Sequence, residues 1–145
     1  MRRLAGTRKV GHVERHPGEL VVAGLVGTPY LPSNKQTQGG ILFLEDVNEH
    51  PYRIERMMMQ LLDAGILANQ SAILLGGFSA YRLYDNDKGY SLERAIEAIR
   101  KRLSEEIPIL NGLPFGHQAN KLTLPVGASA NLSFNPNGFE LKSQW

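Results

Sequence analysis

The sequence predicts an α/β fold: a small domain of parallel β-strands with crossover helices, followed by a β-rich C-terminal tail. Three observations carry that prediction. Two apolar runs, Ile41-Leu42-Phe43-Leu44 and Ala72-Ile73-Leu74-Leu75, have strand length and are bounded by turn residues, so they read as buried strands. Helical spacing follows each of them, first in Ile54, Met57, Met58, Leu61 and Leu62, then in Leu92, Ala95, Ile96, Ile99 and Leu103. Finally, 15 glycines and 8 prolines gather at the ends of apolar runs, which suits short elements joined by tight turns better than a helix bundle. At 145 residues and 42% hydrophobic, the chain is expected to form one domain that needs no staple.

Residues 1–18 show no sustained periodicity and are expected to be a poorly ordered lead-in, with Pro17-Gly18 as the break before a domain over residues 19–145. The apolar run from Leu20 to Val26 is short, and periodicity leaves helix and strand both open for it. Residues 28–38, with Pro29, Pro32 and Asn34, read as a loop, and Gly39-Gly40 opens the first strand. Pro51 fits the first turn of the next helix, where its missing N–H costs nothing, and Gly65 suits the helix's C-cap. Met57-Met58-Met59 reads as core filler, since methionine packs irregular gaps. Gly76-Gly77 closes the second strand, and residues 78–89 form a polar loop. Ser91 caps the second helix, with Glu93 near its positive end. Residues 107–110 form a third strand and residues 111–120 a glycine-containing loop. Short strands follow at Leu122-Thr123-Leu124, residues 128–134 and residues 139–141, with turns at Pro125 and Asn135-Pro136-Asn137-Gly138. The alternation of strand and helix predicts right-handed parallel crossovers, and the tail predicts antiparallel strands completing or flanking the sheet.

Composition narrows the function. The net charge of +2 is too small to argue for nucleic acid, and the excess sits at Arg2, Arg3, Arg8 and Lys9 without interleaved aromatics. The absence of cysteine excludes a disulfide framework, a thiol nucleophile and a cysteine-based zinc site. No cofactor or metal is expected: neither H-x-x-x-H nor H-E-x-x-H occurs, and neither Gly39-Gly40 nor Gly76-Gly77 is followed by the Lys-Ser/Thr of a phosphate loop. No run approaches the ~18 apolar residues of a membrane span, and no apolar segment follows the basic start, so no membrane partner is expected and the cytoplasm is the simplest compartment.

Two places could carry chemistry. Glu45, Asp46, Asn48, Glu49 and His50 lie at the carboxyl end of the first strand, where ligands bind in open α/β sheets. Asp46, Asn48 and Glu49 can equally serve as caps for the next helix. Glu45 follows four apolar residues and, if buried, needs a partner. The second place is the loop Gly112-Leu113-Pro114-Phe115-Gly116-His117, in which a histidine after glycine can reach into a cleft or stand as an ordinary exposed loop residue. Carboxylate and imidazole together could form the orienting and basic half of a hydrolytic triad. A nucleophile is not evident, since no serine sits in a G-x-S-x-G elbow; Ser79 is the nearest candidate. Arg82, in the polar loop, is a guess for gripping a substrate carboxylate.

The block from Gly40 through Glu45-Asp46-Val47-Asn48-Glu49-His50-Pro51-Tyr52-Arg53 to Met57 closely resembles the LD-carboxypeptidases, the muramoyltetrapeptide carboxypeptidases of the serine peptidase class. Gly27-Thr28-Pro29-Tyr30-Leu31-Pro32, Ala64-Gly65-Ile66-Leu67, the Ala72 strand, the Gly116-His117 block and Leu122-Thr123-Leu124-Pro125-Val126-Gly127-Ala128 resemble the family in the same order, over roughly residues 20–133. The resemblance implies a swivelling β/α domain and a Ser–His–Glu triad, with the glutamate at Glu45 and the histidine at His117. It implies removal of the terminal D-alanine from murein tetrapeptide during cytoplasmic cell-wall recycling, or inactivation of peptide–nucleotide antibiotics in related members. The family's nucleophilic serine belongs to an N-terminal domain with a Gly-x-Ser-Asp elbow, which these residues do not contain. Pro17-Gly18-Glu19-Leu20 also stands where the family usually reads Gly-Gly-Asn-Leu. The chain therefore resembles the C-terminal domain alone, inactive by itself, whether as a truncation, a separate gene product or an excised piece; the alternatives are a non-catalytic stand-alone domain that dimerises or docks onto a partner, or part of a peptide-antibiotic self-immunity peptidase.

Overall fold

The computed structural model describes residues 6–10 and 20–144. Two three-stranded sheets are stacked. Strands β2 (Ile41–Val47), β3 (Ala72–Ser79) and β4 (Ile109–Asn111) form a parallel sheet in that order. Strands β1 (Gly6–Val10), β5 (Ser129–Asn135) and β6 (Gly138–Gln144) form an antiparallel one in the order β1-β5-β6. Helix α1 (Asn34–Thr37) is a single turn, whereas α2 (Pro51–Asp63) and α3 (Leu92–Arg102) are the crossover helices between the parallel strands.

Strand alternation explains the layering. Leu42, Leu44, Ile73 and Leu75 lie in one core with Ile54, Met58 and Leu61 of α2 and Ile96 and Ile99 of α3. Ile41, Phe43, Ala72 and Leu74 lie in a second core with Leu113, Ala130 and Leu132. The parallel sheet is thus the middle layer, apolar on both faces, which is why its strands read as unbroken hydrophobic runs. The run at residues 20–26 proves to be a 3₁₀ helix, Leu20–Leu25, that buries Val22 and Ala23 against the helix-side core.

Local chemistry sets the helix ends as expected. Pro51 is at the first position of α2, and Ser91 Oγ accepts the Arg94 N–H at the start of α3. At the end of α2, Gly65 takes φ +76, with Gly65 N–H on Leu62 O and Ile66 N–H on Leu61 O, both at 2.9 Å. This paired closure needs a left-handed residue at Gly65, and the buried Leu61 and Ile66 seal it.

Some expectations change. Gly6–Val10, placed in an irregular lead-in, forms β1 on the edge of the second sheet; residues 1–5 and 11–18 lie outside the described residues. Both first strands run past their apolar cores, β2 through Glu45 and Asp46 to Val47 and β3 through its glycines to Ser79. Leu122-Thr123-Leu124 is not a strand: Leu122 is exposed, its N–H binds Pro114 O at 2.7 Å, and only Leu124 packs on the second core. As expected, the tail strands are antiparallel and flank the first sheet, as a sheet of their own, with Pro136 and Asn137 as the two-residue turn between β5 and β6.

Ala80, just past β3, is held at φ +59. A left-handed conformation costs an L-residue about 1–2 kcal/mol, while the extra unfolded-state freedom of glycine costs about 0.4–1 kcal/mol. Ala80→Gly is expected to raise stability by about 0.5–1 kcal/mol, read as a higher urea midpoint.

Candidate active site

The site begins with a change of register. Leu44 pairs with Leu75 and Asp46 with Phe78, so Gly76 and Gly77 together oppose Glu45. β3 therefore carries one extra residue, a bulge of the kind that re-aims neighbouring side chains. A Cβ on Gly76 would stand 2.6 Å from the Phe115 carbonyl oxygen. Glycine leaves a notch there, and the carbonyl enters it to accept the Gly77 N–H at 2.8 Å.

The loop leaving β4 presents the histidine. Past β4, the Leu113 N–H continues the pairing to Leu75 O at 3.1 Å, and its side chain is buried. The Phe115 ring meets Phe43 edge-on, with centroids 4.8 Å apart. Gly116 then takes φ +102, and a Cβ there would fall 2.6 Å from Glu45 Oε2 and 2.8 Å from its Cβ and Cγ. The Gly116 backbone lies directly on the Glu45 side chain. That approach places His117 so that its backbone N–H donates to Glu45 Oε2 at 3.3 Å and its Nδ1 stands 3.1 Å from the same oxygen.

The burial of the pair is asymmetric: the Glu45 side chain is 4% exposed and that of His117 52%. A carboxylate so removed from water needs donors, and His117 offers it two. Because the carboxylate accepts, the neutral imidazole carries its proton on Nδ1 and its lone pair on Nε2. A buried carboxylate thus fixes the tautomer and orientation of a half-exposed base.

The neighbouring acidic residues have other partners. His50, not Asp46, Asn48 or Glu49, is the N-cap of α2: its Nδ1 accepts the Tyr52 N–H at 3.4 Å. Its Nε2 lies 3.0 Å from Asp87 Oδ2, which also accepts the Tyr84 N–H at 2.7 Å. The Tyr84 N–H and then His50 hold the Asp87 carboxyl below the ordinary aspartate range. Glu49 pairs with Arg53 at 2.6 Å, and Asn48, at φ +68, donates its N–H to Ser79 O. Asp46 is buried within β2. Ser79 ends β3 opposite Val47, and Arg82 stands over the Tyr84 ring at 5.5 Å. Of the residues singled out in the sequence, Glu45 and His117 are brought side chain to side chain by the fold. Sequence reasoning missed the Phe115 carbonyl and Gln118, which donates to it at 2.9 Å. The only signal for Gln118 is its place directly after His117.

Two outcomes test this geometry. Gly116→Ala introduces both a strained φ and a clash with Glu45, so it is expected to lower stability by about 2–4 kcal/mol in urea unfolding and to break the Glu45–His117 contact. For Asp87, whose carboxyl is depressed in the folded state, the stabilisation is complete above about pH 4 and is lost as pH falls through the folded value. The difference in urea midpoint between the wild type and Asp87→Asn is therefore expected to be larger at about pH 5 than at about pH 3.

The LD-carboxypeptidase C-terminal domain family matches residues 19–132. The probable murein peptide carboxypeptidase of Bacillus subtilis is 34% identical over 80% of this chain and 37% of its own length. The murein tetrapeptide carboxypeptidase of Pseudomonas aeruginosa is also 34% identical, over 86% of this chain and 41% of its own. The crystal structure of muramoyltetrapeptide carboxypeptidase from Oxalobacter formigenes superposes with a TM-score of 0.84 at 41% identity, covering 99% of this chain and 47% of that one. The chain thus spans less than half the length of each of these relatives. With the fold, the matched residues and these relatives in agreement, the chain belongs to the LD-carboxypeptidase C-terminal domain family.

Proposed function

We propose that this chain supplies the glutamate and histidine of a Ser–His–Glu triad to an L,D-carboxypeptidase that removes the terminal D-alanine of murein tetrapeptide in cytoplasmic cell-wall recycling. The observation that carries this is the 3.1 Å contact between the buried Glu45 carboxylate and Nδ1 of the half-exposed His117. Glu45 would hold the tautomer and stabilise the imidazolium as it forms. His117 Nε2 would take the proton of the attacking serine hydroxyl and return it to the D-alanine nitrogen as the peptide C–N bond breaks. Water then releases the acyl group by the same base.

The serine and its oxyanion donors would come from polypeptide other than these 145 residues, with residues 19–145 acting as the C-terminal domain. Two points support this: the chain spans 37–47% of its relatives, and the family resemblance implies a separate nucleophile domain. The 145-residue chain alone is expected to release no D-alanine from murein tetrapeptide. Joined to a nucleophile-bearing domain it is expected to turn over, and Glu45→Gln or His117→Ala to lower kcat by about 10⁴-fold. Turnover at enzyme rates by the chain alone would overturn the division of roles. Assaying a peptide–nucleotide substrate alongside murein separates the two activities that the family implies.

A second role is association with another copy, for which Tyr30 at 80% exposure, and Tyr52, Tyr84 and Leu122 at 58% each, offer apolar contact area. Sedimentation velocity is expected to show a concentration-dependent homodimer; a monomer at all concentrations would exclude it.

A further inference from the structure

The His117 turn is anchored firmly before the histidine and lightly after it. On the upstream side stand the buried Leu113, the Phe43–Phe115 ring contact and the bond from Phe115 N–H to Leu113 O at 2.8 Å. Downstream, residues 119–123 are all exposed, and no regular element intervenes before β5. Beside the backbone bond from Leu122 N–H to Pro114 O at 2.7 Å, one side chain ties the start of that downstream arm back. Gln118 Nε2 donates to Phe115 O at 2.9 Å and to Leu113 O at 3.4 Å, while its backbone N–H bonds to Gly116 O at 2.9 Å. Both side-chain partners are carbonyls, so the amide can present only its nitrogen to them. Gln118 also lies against Gly77, within 3.5 Å of where a Cβ would stand.

The Phe115 carbonyl is therefore held from two directions, by the Gly77 N–H in the bulge and by the Gln118 amide. His117 is threaded between these ties. If the amide is lost, Phe115 O keeps only the bulge donor, and the arm carrying His117 can turn away from Glu45.

We propose that Gln118 is a positioning residue for the Glu45–His117 pair: it clamps the turn so that His117 Nδ1 stays on the carboxylate. This rests on the catalytic role given above to that pair, but it can be tested without catalysis. The amide is spent on its own loop, so its part is to fix geometry rather than to touch substrate.

The test uses the 145-residue chain labelled with ¹⁵N. At about pH 8, long-range ¹⁵N–¹H correlation of the wild-type His117 ring is expected to show the Nδ1–H tautomer. Gln118→Leu keeps the bulk and removes the donors. It is expected to shift that ring toward Nε2–H and to speed hydrogen exchange of the Gly77 amide about five- to tenfold, the effect of losing one hydrogen bond. The Leu74 amide in the sheet is expected to exchange at the wild-type rate, which separates a local effect from lost stability. Gln118→Glu is the conservative check. As a carboxylate it faces two carbonyl oxygens and is expected to match Gln118→Leu at about pH 7. Once protonated, at about pH 4, it can donate again and is expected to protect Gly77 better than Gln118→Leu does at the same pH. An unchanged tautomer and unchanged Gly77 exchange in Gln118→Leu would overturn the positioning role and leave the Glu45–His117 pair standing. A wild-type ring without the Nδ1–H tautomer would instead overturn the pair, and the positioning role with it.

Discussion

A carboxylate taken out of water must be given donors, and in this domain that requirement falls on Glu45. The features around the site follow from it. β2 extends past its apolar core to carry the glutamate, and β3 inserts an extra glycine so that two residues without side chains face it. The Phe115 carbonyl enters the notch so formed, and Gly116 runs its backbone against the glutamate side chain. His117 is delivered as the donor. Glu45 and His117 are 72 positions apart, and what joins them is the alignment of two parallel strands with the loop leaving a third.

The layered fold makes such a site affordable. The parallel sheet is buried on both faces, so its strand ends are among the few places where a polar side chain can reach both the core and solvent. Glu45 lies on the inner side of that boundary and His117 on the outer. The His50–Asp87 pair, although also histidine with carboxylate, does different work: it ties the start of α2 to the loop leaving β3.

Much of this was legible in the residues. A carboxylate after four apolar positions predicts a buried acid, and a histidine after a loop glycine predicts a side chain free to approach one. The helices were legible from spacing, with Met58 buried and Met57 and Met59 packed on the core as filler methionines should be. The bulge was not, because Gly76-Gly77 is the same punctuation whether a strand ends or bends. Nor was β1, whose strand character comes from pairing with β5 at the far end of the chain rather than from its own five residues. The His50 cap was hidden because histidine is not among the usual N-cap residues. Leu122-Thr123-Leu124 misled in the opposite sense: alternation was present without a partner strand.

The pairing of β1 with β5 also bears on how the molecule is made. Gly6 meets Phe134 and Val10 meets Ala130, so this layer joins opposite ends of the chain. A ribosome delivers β2, α2, β3, α3 and β4 in spatial order, and that half can assemble as it emerges. The antiparallel layer cannot form until β5 has been polymerised. Until then Ile41, Phe43, Ala72 and Leu74 lack their native cover on one face. Between the emergence of Leu74 and that of β5 the nascent chain thus displays a sticky sheet surface, which makes β5 and β6 a shield against aggregation as well as a part of the fold.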